Sequence, residues 1–321
     1  MMDATAVTAS ASARPGAVAA TPPIRRIGLV AAFSKPEAQE LGAEVTDWVT
    51  ARGYEVVPES VLGTPEAGQI DAIVVLGGDG LMMRAANHYP DIPLLGINFG
   101  NVGFLALVER RDWQAALEKL FAGEYELEEG ATLDASLVRG GVVSHQGWAI
   151  NDVVLRGGAR MIDLELYVGG YFVNTYPGDG MIVSTPHGST AYCMAAGGPI
   201  LNAGVLGFAI VPISCHSPIR TPLVVSERDL VELLLANDRE ATLILDGREV
   251  IGLQVGDVVQ VARGQHLFRL ITFGTTNFYE AIRTKFNFEI RPGAVPSIPA
   301  GRDGRRTTSD DFEDDPVEAG G

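Results

Sequence analysis

Between Ile27 and Ala122 the chain alternates short apolar runs with segments of helical period, and this alternation restricts the fold more than any other feature. RIGLVAAF suits a buried strand, and so do Tyr54–Val57, Ala72–Leu76 and Leu94–Ile97. Ala38, Leu41, Val45 and Trp48 recur at helical spacing, and Gly53 is placed to stop that helix after Ala51. Ser34-Lys35-Pro36-Glu37 has capping-box spacing with Pro in the first turn. Helical spacing resumes after Gly80 through Met83 and Ala86, and Asp112 stands where it would cap a helix over Trp113–Ala122. Strands alternating with helices predict parallel βαβ units.

Beyond Tyr125 the texture changes. LDASLVRGGVVSHQGWAINDVVLRG, MIDLELYVGGYFVNTY and ATLILDGREV carry alternating residues and glycine turns, which predict a β-rich domain with hairpins. One helix is expected near Thr190–Ala196. The expected organisation is a flexible arm over 1–23, an α/β domain over 24–124 completed by 276–291, a β-rich domain over 125–275, and a solvated acidic tail over 292–321.

The net charge of -16 argues against a nucleic-acid or anionic-membrane partner. No apolar run approaches the ~18 residues of a membrane span, and residues 1–23 lack the layout of a secretory signal. The two cysteines, Cys193 and Cys215, fit a reducing compartment, so a cytoplasmic protein is expected. A phosphate ligand would need local attraction against the global field, from backbone amides, a few arginines or a divalent cation.

Four stretches carry chemistry. VVLGGDG places Gly77-Gly78-Asp79-Gly80 at the carboxyl end of a predicted parallel strand, where open α/β sheets bind ligands. Glycines there let N–H groups approach a phosphate, and Asp79 is free to touch a sugar hydroxyl, hold Mg²⁺ through water or accept a proton. The plainer alternative is a tight turn with Asp79 capping the helix. GINFGNVGFLA at 96–106 adds a second glycine-rich loop at the same edge, or a structural loop with Phe104 and Leu105 as core plugs. DGMIVSTPHGSTAY, from Asp179 to Tyr192, runs a strand into a hydroxyl-dense loop suited to a nucleoside, or into an ordinary capped helix. Asn151-Asp152 sets an amide and a carboxylate side by side on a strand, pointing to opposite faces.

Taken together and in this order, GGDG at 77–80, GNVGF at 100–104, Asn151-Asp152, TPHGSTAY at 185–192 and AGGP at 196–199 resemble the NAD kinase family. The resemblance runs from about Ile27 to Phe288. It implies transfer of the terminal phosphoryl group of ATP, or of another donor, to the adenosine ribose 2′-hydroxyl of NAD, with Mg²⁺ or another divalent cation. It implies an N-terminal open α/β (Rossmann-like) domain, a C-terminal β-sandwich-like domain, and a homodimer or homotetramer. By that resemblance Asp79 is the base and Gly80 lies beside the dinucleotide, with Phe104 closing the second glycine loop. Asn151 and Asp152 contact the nucleoside, Asp179 holds the nicotinamide side, and Thr190, Ala191 and Tyr192 bind adenosine. Arg160 falls at a ligand-binding basic position.

Departures from the family pattern bear on specificity. Asp152 stands for Glu, His187 for Thr or Ser near the adenine, Leu81 for Thr, Ala195 for Ser, and Arg248 for Gln in DGREV. Two other readings share parts of the pattern. A lipid or sugar kinase with the GGDG loop would lack the long adenosine-binding run, and a silent NAD or NADP sensor would have no need of Asp79.

Overall fold

The computed structural model describes residues 24–100, 103–216, 220–274, 278–279 and 281–282. The first half follows the βα alternation: β1 (Arg26–Ala31), α1 (Pro36–Thr50), β2 (Glu55–Pro58), β3 (Ala72–Leu76), α2 (Asp79–His88), β4 (Leu94–Asn98), β5 (Val108–Glu109) and α3 (Trp113–Ala122). The second half is mostly strands: β6 (Glu126–Arg139), β7 (Val142–Ala149), β8 (Asp152–Gly157), β9 (Ile162–Val168), β10 (Tyr171–Gly178) and β11 (Gly180–Ser184). A 3-10 turn (His187–Thr190) and the single turn α4 (Tyr192–Ala195) follow. The series ends with β12 (Gly207–Ile213), β13 (Leu223–Ser226), β14 (Val231–Leu235), β15 (Ala241–Leu245), β16 (Glu249–Leu253) and β17 (Val258–Thr272).

β3 is buried along its whole length because both of its faces are covered. Val74 and Leu76 pack with Leu41, Val45 and Leu117 from α1 and α3, while Ile73 and Val75 pack with Met82 and Ala85 from α2. A strand covered on both sides needs an unbroken apolar sequence, and AIVVL supplies one. Two helix starts depart from expectation. α1 begins at Pro36 with Lys35 as its N-cap, and neither Lys35 nor Asp112 makes a side-chain cap hydrogen bond. The Ser34 capping box does not form: the chain instead closes a turn from the Lys35 N–H to the Ala32 carbonyl at 3.1 Å.

The sheets run β10-β9-β14-β17-β4-β3-β1-β2, with β5, β6 and β7 alongside, and β13-β12-β11-β8-β15-β16. The second sheet is antiparallel throughout. Leu133, Leu164 and Val259 of the first sheet and Val153, Met181 and Leu243 of the second share one core, as in a sandwich. The outer face of β8 and β11 is covered too: Val154 and Ile182 pack with Cys193 under α4. The two lobes expected from the sequence are therefore an α/β part and a β-rich part that share a sheet, since β17 pairs antiparallel with β6 and touches β4 through Leu270 and Leu94. The arm over 1–23, the tail over 292–321 and most of the expected return over 276–291 lie outside the described residues.

Candidate functional site

β3 ends at Leu76, the Gly77 N–H donates to the Ile97 carbonyl at 2.9 Å, and α2 begins at Asp79 behind an extended Gly78. Asp79 does not cap its own helix. Its carboxylate accepts backbone N–H bonds from the second glycine-rich loop instead: Phe104 to Oδ2 at 2.8 Å, Leu105 to Oδ1 at 3.1 Å and Ala106 to Oδ1 at 3.0 Å. Gly103 has to be glycine, because a Cβ there would overlap this carboxylate. Asp79 is half-buried, Gly80 is exposed and Phe104 is half-buried. The two glycine loops, adjacent in expectation, are thus joined through Asp79.

The neighbouring strands frame this turn. β3 lies between β1 and β4, so the chain leaving β1 and the chain leaving β4 flank Gly77-Gly78. Together with residues near Arg110 they line an open cleft of about 610 Å³ that includes Lys35, Asn98, Phe99 and Gly100. The Arg110 guanidinium lies 5.3 Å from the Phe99 ring centre. Among the described residues, no ion pair of Lys35 or Arg110 is found.

Asn151 and Asp152 enter β8 just beyond Ile150, which packs with Met82, Leu105 and Ala106 and so sets this segment against the Asp79 region. Asn151 is half-buried and Asp152 is buried. Burial first, and the nearby Asp246 carboxylate second, push the Asp152 carboxyl up to about 7.

The hydroxyl-rich loop is pressed onto the same segment. The Thr185 N–H donates to the Asn151 carbonyl at 2.9 Å and its Oγ1 to the Ile150 carbonyl at 2.7 Å. Gly188 permits the approach, since a Cβ there would overlap the Asn151 carbonyl. Most of the hydroxyls expected to meet a ligand serve the loop itself. Ser184, Thr185 and Ser189 are fully buried, and the Ser189 Oγ donates to the Pro186 carbonyl at 2.6 Å and accepts the Leu201 N–H at 2.9 Å. Thr190 is half-buried and donates to the His187 carbonyl at 3.3 Å. Ala191 is exposed and Tyr192 half-buried against the Val154–Ile182 cluster, so these two present the open part of the run.

His187, expected beside the adenine, differs from that picture. Its side chain is 6% exposed, Nε2 lies 3.0 Å from Glu128 Oε1, and the ring meets Phe268 edge-on. Gly130 makes the room, because a Cβ there would overlap the imidazole. The proline and glycine on either side of His187 concealed this packing role from the sequence.

Arg160 and Asp179 are not gathered with the rest within one chain. β8 and β11 pair Asp152 with Ser184 at one end and Arg156 with Gly180 at the other. Asp179 precedes Gly180, and its carbonyl accepts the Gly157 N–H at 2.8 Å. Asp179 and Arg160, both exposed, therefore stand roughly 20 Å along the strand from Asn151. Arg248 lies on the Asn151 side, 3.5 Å from Asp246 and 42% exposed. It lines an open cleft of about 570 Å³ with Asn87, His88 and Trp148. Asp246 is the residue that sequence spacing did not single out for the site, although it opens the Asp-Gly-Arg turn already noted for Arg248.

Comparison with known proteins gives consistent matches. Residues 64–125 match the family model described as ATP-NAD kinase N-terminal domain, and residues 150–273 match ATP-NAD kinase C-terminal domain. A protein of Thermomicrobium roseum named NAD kinase is 56% identical over 275 residues, covering 85% of this chain and 95% of its own. The crystal structure of yeast NADH kinase complexed with NADH has a TM-score of 0.76 at 18% identity, over 85% of this chain and 90% of that one, a likeness of fold. An NAD kinase from Archaeoglobus fulgidus in complex with ATP has a TM-score of 0.64 at 25% identity, over 82% of this chain and 97% of that one.

Proposed function

The chain belongs to the NAD kinase family, and from that footing we propose how its own residues carry the reaction. It is a phosphotransferase with nucleotide substrates, moving the terminal phosphoryl group of ATP or another donor to the adenosine ribose 2′-hydroxyl of NAD to give NADP. Asp79 is the proposed base. A carboxylate has about four lone-pair sites, and the Phe104, Leu105 and Ala106 amides occupy three of them. The remaining site on Oδ2 is held in one direction by those same bonds, and this observation carries the assignment. Phosphoryl transfer passes through a loose transition state, so late acceptance of the hydroxyl proton and orientation of the hydroxyl matter more than early deprotonation.

NAD is proposed to lie along Asn151, Asp152, Ala191 and Tyr192, with Gly80 and Phe104 bordering its ribose. Support comes from the contiguity of these segments: Thr185 bonds Ile150 and Asn151, and Ile150 packs on the Asp79 loop. The donor phosphates are proposed to occupy the cleft of Lys35, Asn98 and Arg110, where Lys35, Arg110 and Arg111 outnumber Glu37 and Glu109. Mg²⁺ fits as an ion carried chiefly by those phosphates, because it keeps several waters and is commonly held by one or two carboxylates plus substrate phosphate. Asp79, with its one open lone-pair site given to the ribose hydroxyl, would leave the ion to the phosphates and water. When bound, the ion would neutralise developing phosphate charge.

A homodimer or homotetramer is proposed, supported by exposed Tyr171 and Phe172 on the edge strand β10. Light scattering checks it, and a monomer at working concentration would overturn it. A cytoplasmic location is proposed because the buried Cys193 and Cys215 are not in a disulfide, a state a reducing compartment preserves. No helix among the described residues is long and apolar enough to cross a membrane.

The main test mixes protein, NAD, ATP and Mg²⁺ and reads NADP with an NADP-specific dehydrogenase. Asp79→Asn should lower kcat by roughly 10²–10⁴-fold while NAD still binds. Near-normal turnover in that variant would remove the base assignment. Lys35→Ala with Arg110→Ala should raise KM for the donor and leave KM for NAD in place, and an unchanged donor KM would move the phosphates elsewhere.

A further inference from the structure

The hairpin between β15 and β16 sends one side chain toward the site from the Asp-Gly-Arg turn, at a position to which the sequence pattern gave no role. Asp246 sits at its tip with φ +49°, in the left-handed region that Asp tolerates better than most residues. Its side chain is 1% exposed. Oδ1 accepts the Asn151 N–H at 2.7 Å and the Asp152 N–H at 3.2 Å. Oδ2 accepts the Ile150 N–H at 2.8 Å, and the Asn87 amide of α2 reaches it at 3.4 Å. The return bond runs from the Asp246 N–H to the Asp152 carbonyl at 3.0 Å. The carbonyl side of the same segment is held by Thr185 and Ser184. Residues 150–152 are thus clamped from both sides, and the clamp touches the helix that begins at Asp79.

We propose that Asp246 is a positioning residue for NAD binding: its buried carboxylate holds the backbone of Ile150, Asn151 and Asp152 in the conformation that receives the nucleoside, and ties that segment to α2. The proposal rests on the reading that Asn151 and Asp152 hold NAD. A carboxylate suits the task because three successive N–H groups converge on it. An amide of the same shape keeps one acceptor and turns an NH₂ toward Ile150 N–H and the Asn87 amide. A carboxylate costs more to bury than an amide, so without this role Asn would serve better at the position.

The test compares Asp246→Asn with wild type in full steady-state kinetics. KM for NAD should rise about tenfold, on the order of one charged hydrogen bond. KM for ATP should stay within about twofold, because the donor cleft shares no residue with the hairpin. A second readout separates positioning from mere folding. The charged or titratable groups facing Asp152 are Asp246 from the hairpin and Cys193 from α4, with Arg248 reaching only Asp246. Removing the Asp246 charge lets Asp152 ionise at lower pH, so the acid limb of NAD binding should move to lower pH.

Unchanged KM for NAD in a folded Asp246→Asn, with KM raised by Asn151→Ala, overturns the proposal alone. Unchanged KM in Asn151→Ala overturns the placement of NAD at Asn151 and takes the proposal with it. If Asp246→Asn does not fold, hydrogen exchange of the wild type decides. The amides of residues 150–152 should be protected before NAD is added, and free exchange that slows only with NAD overturns the proposal.

Discussion

The turn after β3 and the hairpin between β15 and β16 use one device in opposite surroundings. Each projects a carboxylate that collects three successive backbone N–H groups from a distant segment, 104–106 for Asp79 and 150–152 for Asp246. Asp79 is half-buried at a helix start and keeps one lone-pair site. Asp246 is fully enclosed, and contacts from Asn87 and Arg248 complete its shell. The difference shows what a carboxylate bound to backbone can do. With one face toward solvent it is oriented and still reactive, whereas enclosed it becomes a fixture for its neighbours.

The largest test of this contrast is pH. Asp152 beside Asp246 carries a carboxyl raised by burial and by that charge to about 7. A raised carboxyl stabilises the fold fully below its unfolded value near 4, and the contribution is lost as pH rises through about 7. The size is about 4 kcal/mol at most. Thermal or urea unfolding across pH 4–8 should show the slope and Asp152→Asn should flatten it, while a wild-type profile without slope would remove the coupling. Next in size, Asp246→Ala should cost about 3 kcal/mol by stranding enclosed N–H groups. Asp79→Ala should cost less than about 1 kcal/mol, because water reaches its edge. Equal losses in urea unfolding would erase the contrast.

Gly103→Ala sharpens it from the Asp79 side. The added methyl would displace the carboxylate, and a shift of about 1 Å in a catalytic group can cost about 10²-fold in kcat. A normal kcat would mean the loop yields without moving Asp79. The smallest effect belongs to Glu128→Gln. The Glu128 partner of His187 is 43% exposed, so stability should change by less than about 1 kcal/mol. A larger loss in the same unfolding series would make His187 a second enclosed fixture.

Much of the first half was legible because its signals are local. Ala72–Leu76 and Trp113–Ala122 match β3 and α3 residue for residue, since an apolar run and a 3.6 period each mark an element from within. The β-rich character of the second half was legible from alternation, but the way β17 carries the sheet into the α/β part was not, because strand pairing across more than a hundred residues leaves no local pattern. Ser34-Lys35-Pro36-Glu37 shows the opposite failure: a sound local signal lost to a turn closed by Ala32. The hydroxyl-rich run was correctly singled out as special, yet Thr185 and Ser189 proved to face inward.

By itself the sequence determined the alternating strands and helices of the first half, the β-rich character of the second, and that a lone carboxylate ends β3 among glycines, while the helix expected near Thr190–Ala196 shrank to a 3-10 turn and the single turn α4. Only tertiary structure decided what that carboxylate holds, that Arg160 and Asp179 stand at the far end of β8 and β11 from Asn151, and that Asp246 belongs with Asn151. Periodicity and turn chemistry act over a few residues. A side-chain oxygen meeting an N–H group 25 or 95 positions away depends on how whole strands are paired and stacked.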